Sequence, residues 1–158
     1  MKQYYFMALA SLAVLLLPLA STRGQSPEAL TKDKILGSSP EWQQKYDKFE
    51  PSSEMVDALK PKFGSNMKID VYLGLWCPDS RNNVPGFIKL LDRLGTTVPV
   101  RYFGVPRKAS KDVKYYVEEM NVEKVPTFIF YVDGKEIGRI VENPKTGLVE
   151  DIMDIVFK

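Results

Sequence analysis

The chain has 158 residues, 44% of them hydrophobic, which supplies enough apolar material for one core but too little length for two ordinary domains. One cysteine and no histidine exclude zinc sites, Cys-His dyads and Ser-His-Asp triads, and most hydrolase mechanisms go with them. The formal charge of +2 resides in the first 24 residues: without Lys2 and Arg23, basic and acidic side chains are equal in number, and no positive excess points to nucleic acid or an anionic membrane as a partner.

Residues 1–24 read as a secretory signal peptide. Lys2 opens a short charged region, and the apolar run over 7–20 is shorter than the ~20 residues of a spanning helix and is interrupted by Pro18. Ser21, Thr22 and Gly24 supply small or short residues for cleavage before Gln25. The expectation is a secreted or periplasmic protein with no membrane attachment after cleavage. A lipoprotein anchor would need a cysteine at the cleavage site, and none is there.

Residues 25–66 form an N-terminal helical extension, with helices expected over 40–49 and 52–62 and Pro51 between them. In the second, Met55, Ala58, Leu59 and Phe63 recur at helical spacing, Ser52 or Ser53 can cap the start, and Gly64 can end it. The main domain, 67–158, opens with a buried strand over 68–76 that runs straight into Cys77-Pro78-Asp79-Ser80. A helix follows from Ser80, carrying Val84, Phe87, Ile88, Leu91 and Leu94 on one face and ending at Gly95. Next come a strand over 98–105, a basic loop whose Arg107 and Lys108 read as a solvated turn, and a helix over 111–120. Strands over 127–132 and 136–141 flank Asp133-Gly134, an antiparallel hairpin signal. A helix over 146–157 closes the chain, with Leu148, Val149, Ile152, Ile155 and Val156 on one face.

A lone cysteine in an exported chain cannot form an internal disulfide, so it is either buried and inert or kept for chemistry. At a helix N-terminus Cys77 meets unsatisfied backbone N–H groups and the positive end of the helix dipole, which favour the thiolate. Asp79 opposes that effect and Arg81 supports it.

Over roughly 55–158 the chain resembles the thioredoxin superfamily. The family's marks are an apolar strand ending in Trp-Cys-x-x-Cys, a proline eight positions after the first cysteine, a later Ile/Val-Pro-Thr with a cis proline, and a hairpin glycine eight residues beyond it. Here they are Trp76-Cys77-Pro78-Asp79-Ser80, Pro85, Val125-Pro126-Thr127 and Gly134. The resemblance implies an α/β, thioredoxin-like fold: a central mixed β-sheet flanked by helices, here with the N-terminal helical extension added. It makes Cys77 the attacking thiolate, with Ser80 and Asp79 shaping its surroundings. Trp76, Pro78, Asp79, Val125, Pro126 and Thr127 become the surface that holds a substrate strand, with the backbone of Val125 free to pair with it.

Two departures qualify the likeness. Ser80 stands where the family's resolving cysteine belongs, and it can only hydrogen-bond the sulfur or hold the turn. Val71 stands where disulfide-reducing thioredoxins bury an aspartate beneath the site, leaving water or Asp79 to handle protons. A mixed disulfide at Cys77 must then be resolved by an outside thiol, such as glutathione or another small thiol, or by a second thiol on the substrate.

Two functions fit this pattern. One is a monothiol thiol-disulfide oxidoreductase or isomerase acting on protein thiols or disulfides, with no cofactor and no metal. The other is a binding module that kept the fold and lost turnover. An iron-sulfur carrier would need Cys-Gly-Phe-Ser, which Pro78-Asp79 breaks, and a thiol peroxidase would need a Pro-x-x-x-Thr-x-x-Cys pattern that is absent before Cys77.

Overall fold

The structure, a computed structural model, describes residues 27–109 and 111–158; the leader assigned to 1–24 lies outside them. Its centre is the strand β2 (Met67–Leu73), almost wholly buried. Successive side chains of a strand face opposite ways, so Ile69, Val71 and Leu73 enter the larger core while Tyr72 enters a smaller one with Phe103, Val122 and Ile129.

β2 runs parallel to β3 (Val100–Gly104) and antiparallel to β4 (Thr127–Val132), which pairs antiparallel with β5 (Lys135–Val141). A fifth strand, β1 (Glu28–Leu30), joins the far edge against β3, giving the order β1-β3-β2-β4-β5. The parallel β2–β3 pair requires a crossover, and the helix α4 (Pro78–Leu94) provides it.

The apolar stripe of α4 buries Val84, Phe87, Ile88, Leu90 and Leu94. Phe87 meets the Phe128 ring at 5.0 Å and the Phe130 ring edge-on at 6.3 Å. Each such fully buried side chain contributes about 1.5–3 kcal/mol of transfer free energy. Gly95 ends the helix at φ 61°, its N–H returning to the carbonyls of Leu91 and Asp92. The β4–β5 hairpin turns on Asp133 and Gly134, both at positive φ (50° and 76°), the geometry an aspartyl-glycine pair favours.

Residues 28–62 are richer than two helices. Between β1 and the expected helices lies α1 (Lys32–Leu36), followed by α2 (Pro40–Lys48), α3 (Ser53–Leu59) and a 3-10 turn over Lys60–Lys62 where Pro61 falls. Trp42 of α2 is fully buried, and Asp92 of α4 receives both the Lys32 amine and the Tyr46 hydroxyl, tying α1 and α2 to α4. The remaining helices are α5 (Lys111–Glu119) and α6 (Leu148–Val156).

Candidate functional site

β2 stops at Leu73, three residues before the expected end, because the chain turns there. The Cys77 N–H donates to the Gly74 carbonyl at 2.9 Å, and the Gly74 N–H donates to the Ser80 hydroxyl at 3.1 Å. Of the two roles open to Ser80, the structure gives it the second: it is fully buried and holds the turn. Cys77 is the N-cap of α4, at φ −90° and ψ 125°, and Pro78 takes the first helical position, where its missing N–H costs nothing. The helix thus begins two residues earlier than periodicity alone suggests.

The Cys77 side chain is only 6% exposed. Its thiol turns toward the loop before β4 and donates to the Val125 carbonyl, with Sγ 3.2 Å from the oxygen. The Val125–Pro126 peptide bond is cis, as the resemblance implies. One of the two Val125 backbone groups expected to be free for a substrate is therefore engaged by the thiol itself. The sulfur sits in the wall of a cleft of about 500 Å³, also lined by Trp76, Pro78, Asp79, Arg107 and Val125.

Trp76 is 42% exposed at this cleft. Its indole N–H donates to the Val105 carbonyl at 2.8 Å, and the Arg107 guanidinium lies 5.1 Å from the ring centre, a cation–π contact. The loop expected to be a solvated turn does keep Arg107 and Lys108 exposed, and it lays the Arg107 guanidinium over Trp76. Pro126 and Thr127 are buried, and the Thr127 hydroxyl donates to the Lys124 carbonyl at 2.7 Å, bracing the loop that carries Val125.

Beside the motif stand residues that no sequence motif marks. The Lys124 amine pairs with Glu142 at 2.6 Å, and that hydrogen bond together with the carboxylate's charge raises the lysine above its ordinary value. Glu142 sits at φ 60°, and its N–H donates to the Pro126 carbonyl at 2.7 Å. The Asn83 side-chain NH2, one turn into α4, shares its two hydrogens among three acceptors within reach of its nitrogen: the carbonyls of Asp79 (3.1 Å) and Glu142 (3.0 Å) and the Asn143 side-chain oxygen (3.0 Å). The Asn143 amide donates to the Asp79 carboxylate at 3.2 Å. These contacts join segments some sixty positions apart, so no local spacing announces them.

Val71 is fully buried in the larger core. The acid next to it, Asp70, is 1% exposed and belongs to the opposite face of the sheet, where Arg101 clasps it through Nε (2.7 Å) and Nη2 (2.6 Å) and Lys68 approaches to 3.4 Å. A buried carboxylate is present in β2, yet one residue of register puts it on the sheet face opposite Val71, where Arg101 answers it.

Residues 25–154 match the thioredoxin family, described as thioredoxin. No curated protein sequence is similar enough to count as a relative. Among solved structures, a Pseudomonas aeruginosa protein of unknown function aligns at 14% identity and a TM-score of 0.55, over 78% of this chain and 82% of that one. Fasciola hepatica thioredoxin aligns at 24% identity and a TM-score of 0.45, over 63% of this chain and 90% of that one. The family match spans most of the sequence, and the cis Val125–Pro126 bond faces the single cysteine at the start of α4. The chain belongs to the thioredoxin family.

Proposed function

We propose that the protein is an exported, secreted or periplasmic, monothiol exchange protein acting on protein thiols and disulfides. The observation that carries this reading is the Cys77 sulfur at a helix N-terminus, 3.2 Å from the Val125 carbonyl in a cleft wall, with Ser80 in place of a second cysteine. The thiol gives its proton to water. The thiolate then attacks one sulfur of a substrate disulfide, forming the Cys77–substrate bond and expelling the other sulfur as thiolate. A second thiol, from glutathione, another small thiol or the substrate, attacks that mixed disulfide and returns Cys77 reduced. Ser80, committed to the Gly74 N–H and lacking sulfur, takes no part in release.

Incubation with an aromatic disulfide tests this. The mature protein gains one adduct at Cys77, free glutathione removes it, and Cys77→Ala gains none. Absence of an adduct in the wild type overturns the exchange reading.

The burial of the sulfur favours one alternative, a thioredoxin-fold module that holds a partner on Trp76, Pro78, Val125 and Pro126 without turnover. On that reading Cys77→Ala retains partner binding; on the exchange reading it abolishes function.

A further inference from the structure

The exchange reading makes the thiolate the reacting species, and the inference drawn next rests on that reading for its purpose. Four charged groups besides Asp79 and Glu142 line the cleft beside the sulfur: Arg107, Lys114 of α5, Glu123 and Lys124. Glu142 is matched by Lys124. Asp79 is the acid closest to Cys77 in sequence, in the first turn of the same helix, and it forms none of the ion pairs found among the described residues. Among the described residues its carboxylate accepts from the Asn143 amide, and its charge is also felt by Lys124, the amine paired with Glu142.

The orientation of that amide is set in two steps. The Asn83 side-chain nitrogen faces the carbonyl oxygens of Asp79 and Glu142, which can only accept, so the direction of the Asn83 amide is fixed by the backbone. The same nitrogen faces one end of the Asn143 amide, which must therefore be its oxygen. The Asn143 nitrogen is left to donate to Asp79. We propose that Asn143 is a positioning residue for the Asp79 carboxylate and that Asn83 sets its polarity, together holding this negative charge toward the β5–α6 connection while the sulfur engages Val125. Loss of either amide frees the carboxylate to rotate toward the sulfur, where like charge opposes the thiolate.

The test is the rate of Cys77 alkylation by iodoacetamide as a function of pH, measured on the mature chain. This readout needs no disulfide substrate. Asn143→Ala moves the midpoint of the profile upward by a few tenths of a pH unit. Asn83→Ala moves it in the same direction. Asn143→Asp, of equal size but with a charge in place of the donor, moves it further. Adding Asn143→Ala to Asp79→Asn changes nothing, because the charge being positioned is gone. A profile for Asn143→Ala or Asn143→Asp that superimposes on the wild type overturns the proposal, as does a shift that persists in the Asp79→Asn background. A variant that loses its fold exposes the thiol in either background and so gives a persistent change, whereas a positioning effect does not. If the variants shift as expected but the wild type never forms an adduct with the aromatic disulfide, the exchange reading fails and the positioning of Asp79 stands.

Discussion

At the residue scale the structure turns on what each side chain beside Cys77 is already doing. Ser80 occupies the family's second sulfur position, but its oxygen satisfies the buried Gly74 N–H that would otherwise lack a partner where β2 ends. Ser80→Ala therefore lowers stability by about 1–3 kcal/mol in a denaturant titration, the cost of a buried donor left without an acceptor. The motif residues Trp76 to Ser80 and the cis proline were legible in the sequence because they are contiguous and carry a family spacing. The roles of Asn83, Lys124, Glu142 and Asn143 were not, since each depends on a partner supplied by a different loop. The sulfur's orientation was not legible either: spacing places Cys77 at a helix start but does not say that the thiol turns inward to Val125.

At the element scale, long periodic segments declared themselves, and short ones did not. α4 was expected from its apolar stripe and its terminal glycine, and the hairpin from Asp133-Gly134. β1 has three residues and α1 has five, too few for any period to show, and both are held by tertiary partners, β3 and the Asp92 hub. In β2 alternation hides a consequence of register: Asp70 lies between the core residues Ile69 and Val71 yet is answered from β3. Arg101→Ala leaves that buried carboxylate with Lys68 alone and lowers unfolding free energy by about 2 kcal/mol. The same change made in an Asp70→Asn background costs less than about 1 kcal/mol, and equal losses in the two backgrounds would show that the pair is not the source.

For the whole molecule, the absence of histidine removes the one side chain whose ordinary titration lies near neutrality. The resolved shifts lie at the extremes. Burial, with the charge of Asp92 second, raises Tyr102, and the hydrogen bond to Asp92 raises Tyr46, both above the ordinary 10.0. A raised value means the folded state holds the proton more tightly. That contribution is complete below pH 10.0 and is lost as the pH rises through the shifted values. Burial pushes Asp151 up, but the backbone N–H groups of Lys145, Thr146 and Gly147 and the Thr146 hydroxyl outweigh it, and the carboxyl rests below its ordinary 3.8. Its contribution is present above pH 3.8 and is lost as the pH falls through the lowered value. Melting temperature is accordingly level between about pH 5 and 9 and falls beyond both ends. A step near pH 6.5 would contradict this.

The inward turn of the lone sulfur has a practical corollary. Because Cys77 is 6% exposed and its thiol is committed to Val125, a bulky thiol reagent is expected to label it more slowly than a free thiol, and its native-state labelling rate is a clock for the opening of that contact. With no second sulfhydryl anywhere in the sequence, the clock has a single hand.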